Sequence, residues 1–283
     1  MKLHYSNDPN EYFNIVAPYL EKDEVINNLP LGILYSIINN TRIYDTKPFL
    51  SYIEEKGKPI FVMLRTPPHP LIIYGTEEHD QEAIDIAVND LHMKGISIPK
   101  VIGPISLVEQ FTEKYCELFN QSLKVDMHQK IYKLTEVNSI KRSEGKLRLA
   151  KIGEKMLLAS WLQHFAEVTG TGEVTLEEAN KIVGEFITNK TLYVWEVNEE
   201  IVSIANKTRA TKNGIVINFV YTPKHHSKKG FATSCVTELS QLLLNEGYSF
   251  CSLYTDLENP TSNSIYVKIG YQPVADSIVY SIS

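Results

Sequence analysis

The sequence predicts an α+β protein of two domains, in which a mixed, mostly antiparallel central sheet is flanked by helices. Apolar residues recur with helical spacing in some segments and with strand spacing in others. The second half of the chain reads as β-α-α-β-β-β-α-β-α-β. A polar stretch at 136–145 separates two periodic regions and predicts domains at 1–140 and 146–283.

The first half predicts an α/β accessory domain. It contains a hairpin around the turn Thr66-Pro-Pro-His-Pro70, a helix, a short strand and a second helix. These segments lie at 59–65 with 71–74, at 78–94, at 100–103 and at 106–121. Their order is loosely similar to that of the second half.

The second half opens with a strand, two helices and three strands. One helix shows apolar residues on a single face, and Thr175 with Glu178 forms a capping-box pattern that predicts the start of the next helix. The three strands are joined by short turns and predict an antiparallel meander. The segments lie at 146–150, 153–166, 175–187, 191–197, 201–208 and 214–222.

The stretch from Val220 to Ser234 predicts a phosphate site. A strand stops at Pro223, a basic turn follows, and a helix begins at Gly230. A helix N-terminus offers free backbone N–H groups and the positive end of the helix dipole. Lys224, Lys228 and Lys229 add charge at this point, whereas three lysines elsewhere would indicate only a solvated surface. We therefore expect a diphosphate at this turn.

The remaining segments complete the predicted sheet. The helix from Gly230 runs to about Glu246, and the strand at 248–257 is apolar enough to be buried on both faces. A strand, helix and strand in this order predict a right-handed crossover between two parallel strands. A helix at 259–268 and a strand at 272–282 end the chain.

Composition excludes several classes of protein. With 283 residues, of which 43% are hydrophobic, the chain can bury a sizeable core. Residues 1–140 carry the whole net charge of −6 and no extended basic face appears, so no nucleic-acid partner is expected. The longest apolar run, around Leu29 to Ile38, is about half the ~20 residues of a membrane helix, so no membrane partner is expected. No secretory signal is visible, which predicts a cytoplasmic location. Three cysteines at wide spacing predict neither disulfides nor a metal site, and Cys235 and Cys251 are expected in the core.

Two motifs carry a family resemblance. The segment Ser227-Lys-Lys-Gly230-Phe-Ala232 matches the pattern Arg or Gln, two residues, Gly, one residue, then Gly or Ala, except at Ser227. The segment from Asn259 to Tyr271 contains Tyr266 and closes with Lys-Ile-Gly-Tyr. In both motifs the second half resembles the GNAT family of acyl-CoA-dependent N-acetyltransferases. The first half looks like a degenerate copy of the same fold.

The resemblance implies acetyl-CoA as the cofactor. Its diphosphate is expected over the helix start and its pantetheine arm along the preceding strand end. Asn259 could contact the pantetheine arm, but a role as a helix cap fits it equally well. At position 227 the family's Arg or Gln contacts the phosphate, so with Ser227 this contact would have to come from Lys228, Lys229 or His226. The expected cofactor contacts are Val220, Tyr221, Thr222, Lys228, Lys229, Gly230, Phe231, Ala232, Thr233, Asn259 and Ser262.

The resemblance also implies direct acetyl transfer to a primary amine, on a small molecule or a peptide. Tyr266 holds the family's position for the general acid, although an aromatic residue that packs the last helix would look the same. The alternative function is a non-catalytic acyl-CoA sensor or interaction module. The first half is expected to shape the acceptor site or a homodimer interface. The sequence does not identify the general base, for which the candidates are Glu196, Glu173, Glu167, His164 and a water chain.

Overall fold

The computed structural model describes residues 1–41, 44, 46–75, 80–170 and 172–283. These residues form two compact units: unit 1 comprises 1–131, 254–259 and 273–283, and unit 2 comprises 132–253 and 260–272. The sequence predicted a single boundary, between residues 140 and 146. In the structure, two stretches of the predicted second domain, 254–259 and 273–283, belong to unit 1 instead. None of the helices in the described ranges is both long and apolar enough to cross a bilayer.

The described residues of unit 1 form four α-helices and a mostly antiparallel sheet with the strand order β1-β2-β3-β4-β5-β12. Among the described strands of this sheet, β4 and β5 form the parallel pair. The last strand of the chain, β12 (Gln272–Ile282), pairs with β5 through Ser277↔Pro104 to Ser281↔Lys100. The other elements are β1 (Lys2–Ser6), α1 (Pro9–Leu20), α2 (Asn28–Ile38), β2 (Phe49–Glu55), β3 (Lys58–Arg65), β4 (Leu71–Gly75), α3 (Asp80–Met93), β5 (Lys100–Pro104), α4 (Ile105–Phe119) and β6 (Leu123–Leu134).

The predicted hairpin, helix, strand and helix of the first half are confirmed, but five further elements were missed. Residues 78 and 79 of the predicted helix at 78–94 lie outside the described residues. Helix α2 is apolar on most sides and therefore shows no distinct buried stripe. The first eight residues of β6 are mostly polar, half-buried or exposed, so its alternation is weak. The missed elements are β1, α1, α2, β2 and β6.

Unit 2 follows the predicted order β-α-α-β-β-β-α-β-α, with the strand order β11-β10-β9-β8-β7. Strands β10 and β11 are parallel, and the other neighbours are antiparallel. The capping box of Thr175 and Glu178 is confirmed at the start of α6. The elements are β7 (Lys146–Leu149), α5 (Lys155–Thr169), α6 (Leu176–Thr188), β8 (Leu192–Val197), β9 (Glu200–Thr208), β10 (Gly214–Tyr221), α7 (Phe231–Asn245), β11 (Phe250–Asp256) and α8 (Pro260–Ile269).

Unit 2 buries an apolar cluster on each face of its sheet. Along β8, Tyr193 and Trp195 pack in the cluster with α7 and α8, whereas Val194 packs in the cluster with α5 and α6. This alternation is what a strand covered on both faces requires. Cys235 and Cys251 are fully buried in the first cluster, as predicted. Burial raises the pKa of both thiols, that of Cys251 to about 12, so neither is a nucleophile at neutral pH.

Candidate active site

The basic turn leads directly into the start of α7. After β10 and Pro223, a 3₁₀ turn (Lys224–His226) precedes Gly230, which is the N-cap residue and has a φ of +80°, a backbone conformation that favours glycine. The N–H group of Ser234 is the first to bond within the helix, to the Gly230 carbonyl oxygen at 3.0 Å. The N–H groups of 231–233 therefore have no acceptor in the helix, and groups in this position can bind an anion.

The side chains around this turn differ in their availability. Lys228 and Lys229 are exposed. The Ser227 hydroxyl donates to the Lys224 carbonyl oxygen at 2.7 Å, so it serves the turn itself. His226 is buried, and its Nε2 lies 3.2 Å from Glu200 Oε1. Of the three candidates for the missing phosphate contact, the two lysines are thus free to take that role.

Strand β10 separates from β11 before it reaches the turn. The parallel pairs extend only from Gly214↔Phe250 to Val216↔Ser252 among the described residues. Further along β10, the two residues between Asn218 and Tyr221 oppose a single residue of β9, which is a β-bulge, and Phe219 has a φ of +46°. A bulge leaves backbone groups outside the ladder. Beyond Val216, the described residues show no pairing of β10 with β11, which is the separation that the predicted site for a pantetheine arm requires.

The predicted contacts at the end of β10 alternate between the two faces. Val220 packs toward the cluster with α7, and Tyr221 packs toward the cluster with α5. The Thr222 Oγ1 lies 2.8 Å from Ser203 Oγ, and Ser203 Oγ lies 3.2 Å from the Tyr221 carbonyl oxygen. The Thr222 hydroxyl is thus already engaged within the sheet, and its backbone is the group left for a ligand.

Tyr266 lies on α8 and is 8% exposed. Its ring centroid is 6.3 Å from that of Tyr132 and 5.9 Å from that of Tyr271. Its hydroxyl has no hydrogen-bond partner among the described residues. Burial raises the pKa of this hydroxyl far above that of a free tyrosine, because the charged phenolate is poorly solvated there. Tyr266 is therefore a protonated group that is not committed to another partner.

The predicted contacts at the start of α8 fall in different units. Asn259 lies in unit 1, immediately before α8, and its N–H group donates to the Asp256 carbonyl oxygen at 3.1 Å. Ser262 is half-buried in the first turn of α8 and belongs to unit 2. The site built from unit 2 alone therefore contains Ser262 and not Asn259.

One of the four candidate bases contacts a predicted site residue. The Nδ1 atom of His164, on α5, lies 2.9 Å from the Tyr221 hydroxyl at the end of β10. Glu196 is instead held by Arg148 at 2.6 Å and by Lys146 at 3.1 Å. These cations lower the pKa of Glu196, which makes it a weak base. Glu167 and Glu173, the other two candidates, are exposed.

A contact of the predicted linker was not visible in the sequence. The N–H group and the hydroxyl of Ser143 both lie 2.8 Å from Ser234 Oγ, in the first turn of α7. The two serines are 91 residues apart, so no local pattern indicates their contact. Stretch 136–145 thus helps to position the start of α7.

Comparison with known proteins bears on the fold of the chain. Residues 197–279 match a family model described as FR47-like protein. Three similar solved structures are a GNAT-family acetyltransferase from Colwellia psychrerythraea, a GCN5-related N-acetyltransferase from Sphaerobacter thermophilus and a tandem GNAT protein from the clavulanic acid biosynthesis pathway. No match is found among the curated proteins.

These likenesses extend over nearly the whole chain. The Colwellia protein is 11% identical, with 100% of this chain and 99% of that chain covered and a TM-score of 0.62. The Sphaerobacter protein is 12% identical, with coverages of 98% and 94% and a TM-score of 0.64. The tandem protein is 7% identical, with coverages of 100% and 98% and a TM-score of 0.56.

The chain therefore has the GNAT fold. The predicted resemblance of the second half is confirmed, and so is the mixed, mostly antiparallel fold class. The elements from β1 to β6 repeat the order of those from β7 to β12. This repeat agrees with the predicted GNAT-like character of the first half and with the tandem protein.

Proposed function

We propose that this protein is an N-acetyltransferase that transfers the acetyl group of acetyl-CoA directly to a primary amine. One observation carries the proposal: β10 leaves β11 after Val216 and leads, within fourteen residues, to a helix capped by Gly230. This stretch supplies a slot for an extended chain followed by a site for a diphosphate. Acetyl-CoA has both parts in that order.

The residues present fit this cofactor. The N–H groups of 231–233 and the side chains of Lys228 and Lys229 would bind the diphosphate. The small residues Gly230 and Ala232 leave room for its close approach. The backbone of 220–222 would bind the pantetheine arm as an added strand does. Ser262, in the first turn of α8, completes the proposed contacts within unit 2.

Acetyl-CoA supplies the acetyl group as an activated thioester. A backbone N–H group near Tyr221 would stabilise the developing oxyanion. His164, bonded to the Tyr221 hydroxyl, would accept the proton that the amine loses as its bond to carbon forms. Tyr266 would protonate the sulfur as the carbon–sulfur bond breaks, which its protonated state allows. The buried cysteines support transfer without a covalent enzyme intermediate.

The acceptor is proposed as a class, namely a small-molecule or peptide amine. The proposal has further parts that rest on the sequence. They are a cytoplasmic location, a homodimer and the absence of nucleic-acid and membrane partners. The net charge of −6 in residues 1–140 suits a cationic acceptor.

The cofactor assignment is tested by Ala232→Glu. Because a carboxylate in the first turn of a helix is favourable to the fold, this variant should stay folded while it repels the diphosphate. We expect acetyl-CoA affinity, measured by calorimetry, to fall at least a hundredfold. The matched control, Gln241→Glu, adds the same charge farther along α7 and should bind as the wild type does. Equal affinity of the two variants would refute the site.

The alternative function is an acyl-CoA sensor or interaction module without catalysis. The deep burial of Tyr266 and the serine at position 227 are the observations that favour it. A panel of primary amines incubated with acetyl-CoA, read out as released thiol, separates the two functions. Saturable cofactor binding with no thiol release above the protein-free rate for any amine would favour the sensor.

A further inference from the structure

Three metal-ligating side chains converge beside the basic turn: Glu200, His225 and His226. One ligand atom of each lies within 4.8 Å of the other two. The His226 Nε2 and the Glu200 Oε1 are 3.2 Å apart. A tetrahedral Zn²⁺ with bonds of about 2.0–2.1 Å holds neighbouring ligand atoms about 3.3 Å apart. The spacing of this pair is therefore that of two ligands on one ion.

The backbone fixes the positions of these side chains. Glu200 begins β9 directly after a two-residue turn, Asn198 and Glu199, in which both residues have positive φ (+48° and +67°). Such turns match the twist of the paired strands and hold a hairpin rigid. His226 ends the 3₁₀ turn and is 7% exposed, with its ring 6.4 Å from that of Phe231. The ligands thus lie on two ordered segments far apart in sequence.

An ion pair alone does not account for the third member of the cluster. Glu200 and His226 could pair with each other, but the His225 ring lies 4.1 Å from that of His226. Two protonated imidazoles at this distance would repel each other, whereas two neutral imidazoles can share a cation. The Glu200 side chain is 65% exposed, which leaves an entry path for an ion.

We propose that Glu200, His225 and His226 bind one divalent transition-metal ion, of which Zn²⁺ is the best match. Two imidazoles and one carboxylate suit zinc, cobalt or nickel, while calcium and magnesium prefer oxygen ligands throughout. Three protein ligands leave one tetrahedral position for water or an anion. The ion would join the β8–β9 hairpin to the turn before α7. This site is distinct from the acetyl-CoA contacts and does not depend on the proposed reaction.

Titration of the untagged full chain, stripped with a chelator, tests the site. We expect calorimetry with ZnCl₂ to show one ion per chain, and Co²⁺ to give the visible absorption of a tetrahedral complex. Glu200→Gln and His225→Gln should each weaken Zn²⁺ affinity at least tenfold. Both residues are exposed, so the variants should fold, and circular dichroism without metal checks this.

Two control variants match these substitutions. Glu199→Gln changes the neighbouring carboxylate of the same turn, and His128→Gln changes an exposed histidine of β6 outside the cluster. Both should bind Zn²⁺ as the wild type does. Absence of Zn²⁺ binding by the wild type, or equal binding by the cluster variants and the controls, would overturn the proposal. At any one free Zn²⁺ concentration, the melting temperature should rise more for the wild type and the controls than for the cluster variants.

Discussion

Tyr266 is the residue for which sequence and structure give complementary information. Its position in the Asn259–Tyr271 motif predicts a proton donor, and its burial in the cluster with Tyr132 and Tyr271 equally fits a packing residue. We expect Tyr266→Phe to lower kcat for acetyl transfer at least tenfold and to leave acetyl-CoA affinity unchanged, because only the hydroxyl is lost. Stopped-flow thiol detection and calorimetry measure the two quantities.

A neighbouring tyrosine provides the control for Tyr266. Tyr132 donates from its hydroxyl to Asn263 Oδ1 at 3.1 Å, and its ring lies in the same cluster. Tyr132→Phe removes the same group from an adjacent position and should keep kcat within about twofold of the wild type. An equal loss in both variants would show that packing, and not proton donation, is the role of Tyr266.

His164 is tested with the same kinetic assay. His164→Asn keeps a polar atom near the Nδ1 position, so the contact with the Tyr221 hydroxyl can persist while the proton acceptor is lost. We expect kcat to fall about a hundredfold with little change in the KM for acetyl-CoA. Glu167→Gln, three residues along α5, is the control and should be nearly silent. A larger loss of kcat in Glu167→Gln than in His164→Asn would identify Glu167 as the base.

At the scale of elements, the start of α7 could be predicted and the shape of β10 could not. Pro223 and Gly230 are local signals. In the structure, Pro223 follows the end of β10 and Gly230 is the N-cap residue of α7, as the sequence predicted. The bulge between Asn218 and Tyr221 depends instead on the register of β10 against β9, which no local pattern specifies. The separation of β10 from β11 arises in the same way. The shape of the proposed slot for the pantetheine arm is therefore a property of strand pairing.

The glycine after the end of α8, Gly270, allows a prediction about the stability of the fold. Gly270 has a φ of +119°, and a Cβ atom there would lie 2.9 Å from the Glu136 carbonyl oxygen. We expect Gly270→Ala to reduce the free energy of unfolding by about 2 kcal/mol, because it adds backbone strain and a contact with a main-chain atom. Urea denaturation measures this change.

Another glycine of unit 2 serves as the comparison. Gly153, in the 3₁₀ turn before α5, has no atom of the described ranges within 4 Å of the position that a Cβ would occupy. Gly153→Ala should therefore change the free energy of unfolding by less than about 0.5 kcal/mol. A Gly270→Ala variant as stable as Gly153→Ala would contradict the strain argument.

At the scale of the whole molecule, two units share one order of elements but differ in their turns. In unit 2 the segment between the parallel strand and the helix carries Lys228, Lys229 and Gly230. In unit 1 the corresponding sequence between β4 and α3 is Thr-Glu-Glu-His, at positions outside the described residues, with two acidic residues and no glycine. Like charges disfavour a diphosphate there. We therefore expect one cofactor site per chain.

Binding stoichiometry checks this expectation. Calorimetric titration with acetyl-CoA should give one site per chain, and Ala232→Glu should remove it entirely. A second site that persists in Ala232→Glu would show that unit 1 also binds the cofactor. Glu77→Gln with Glu78→Gln, which removes the two negative charges, should leave the stoichiometry at one because the glycine is still missing.

The sequence by itself determined the order of elements in the second half, the start of α7 and the position of Tyr266. These depend on local signals: apolar periodicity, Pro223, Gly230 and the spacing of a short motif. The tertiary structure decided which distant residues meet. The contact of His164 with Tyr221, that of Ser143 with Ser234 and the convergence of Glu200 with His225 and His226 all depend on how strands and helices pack, because no sequence pattern encodes the distance between separate segments.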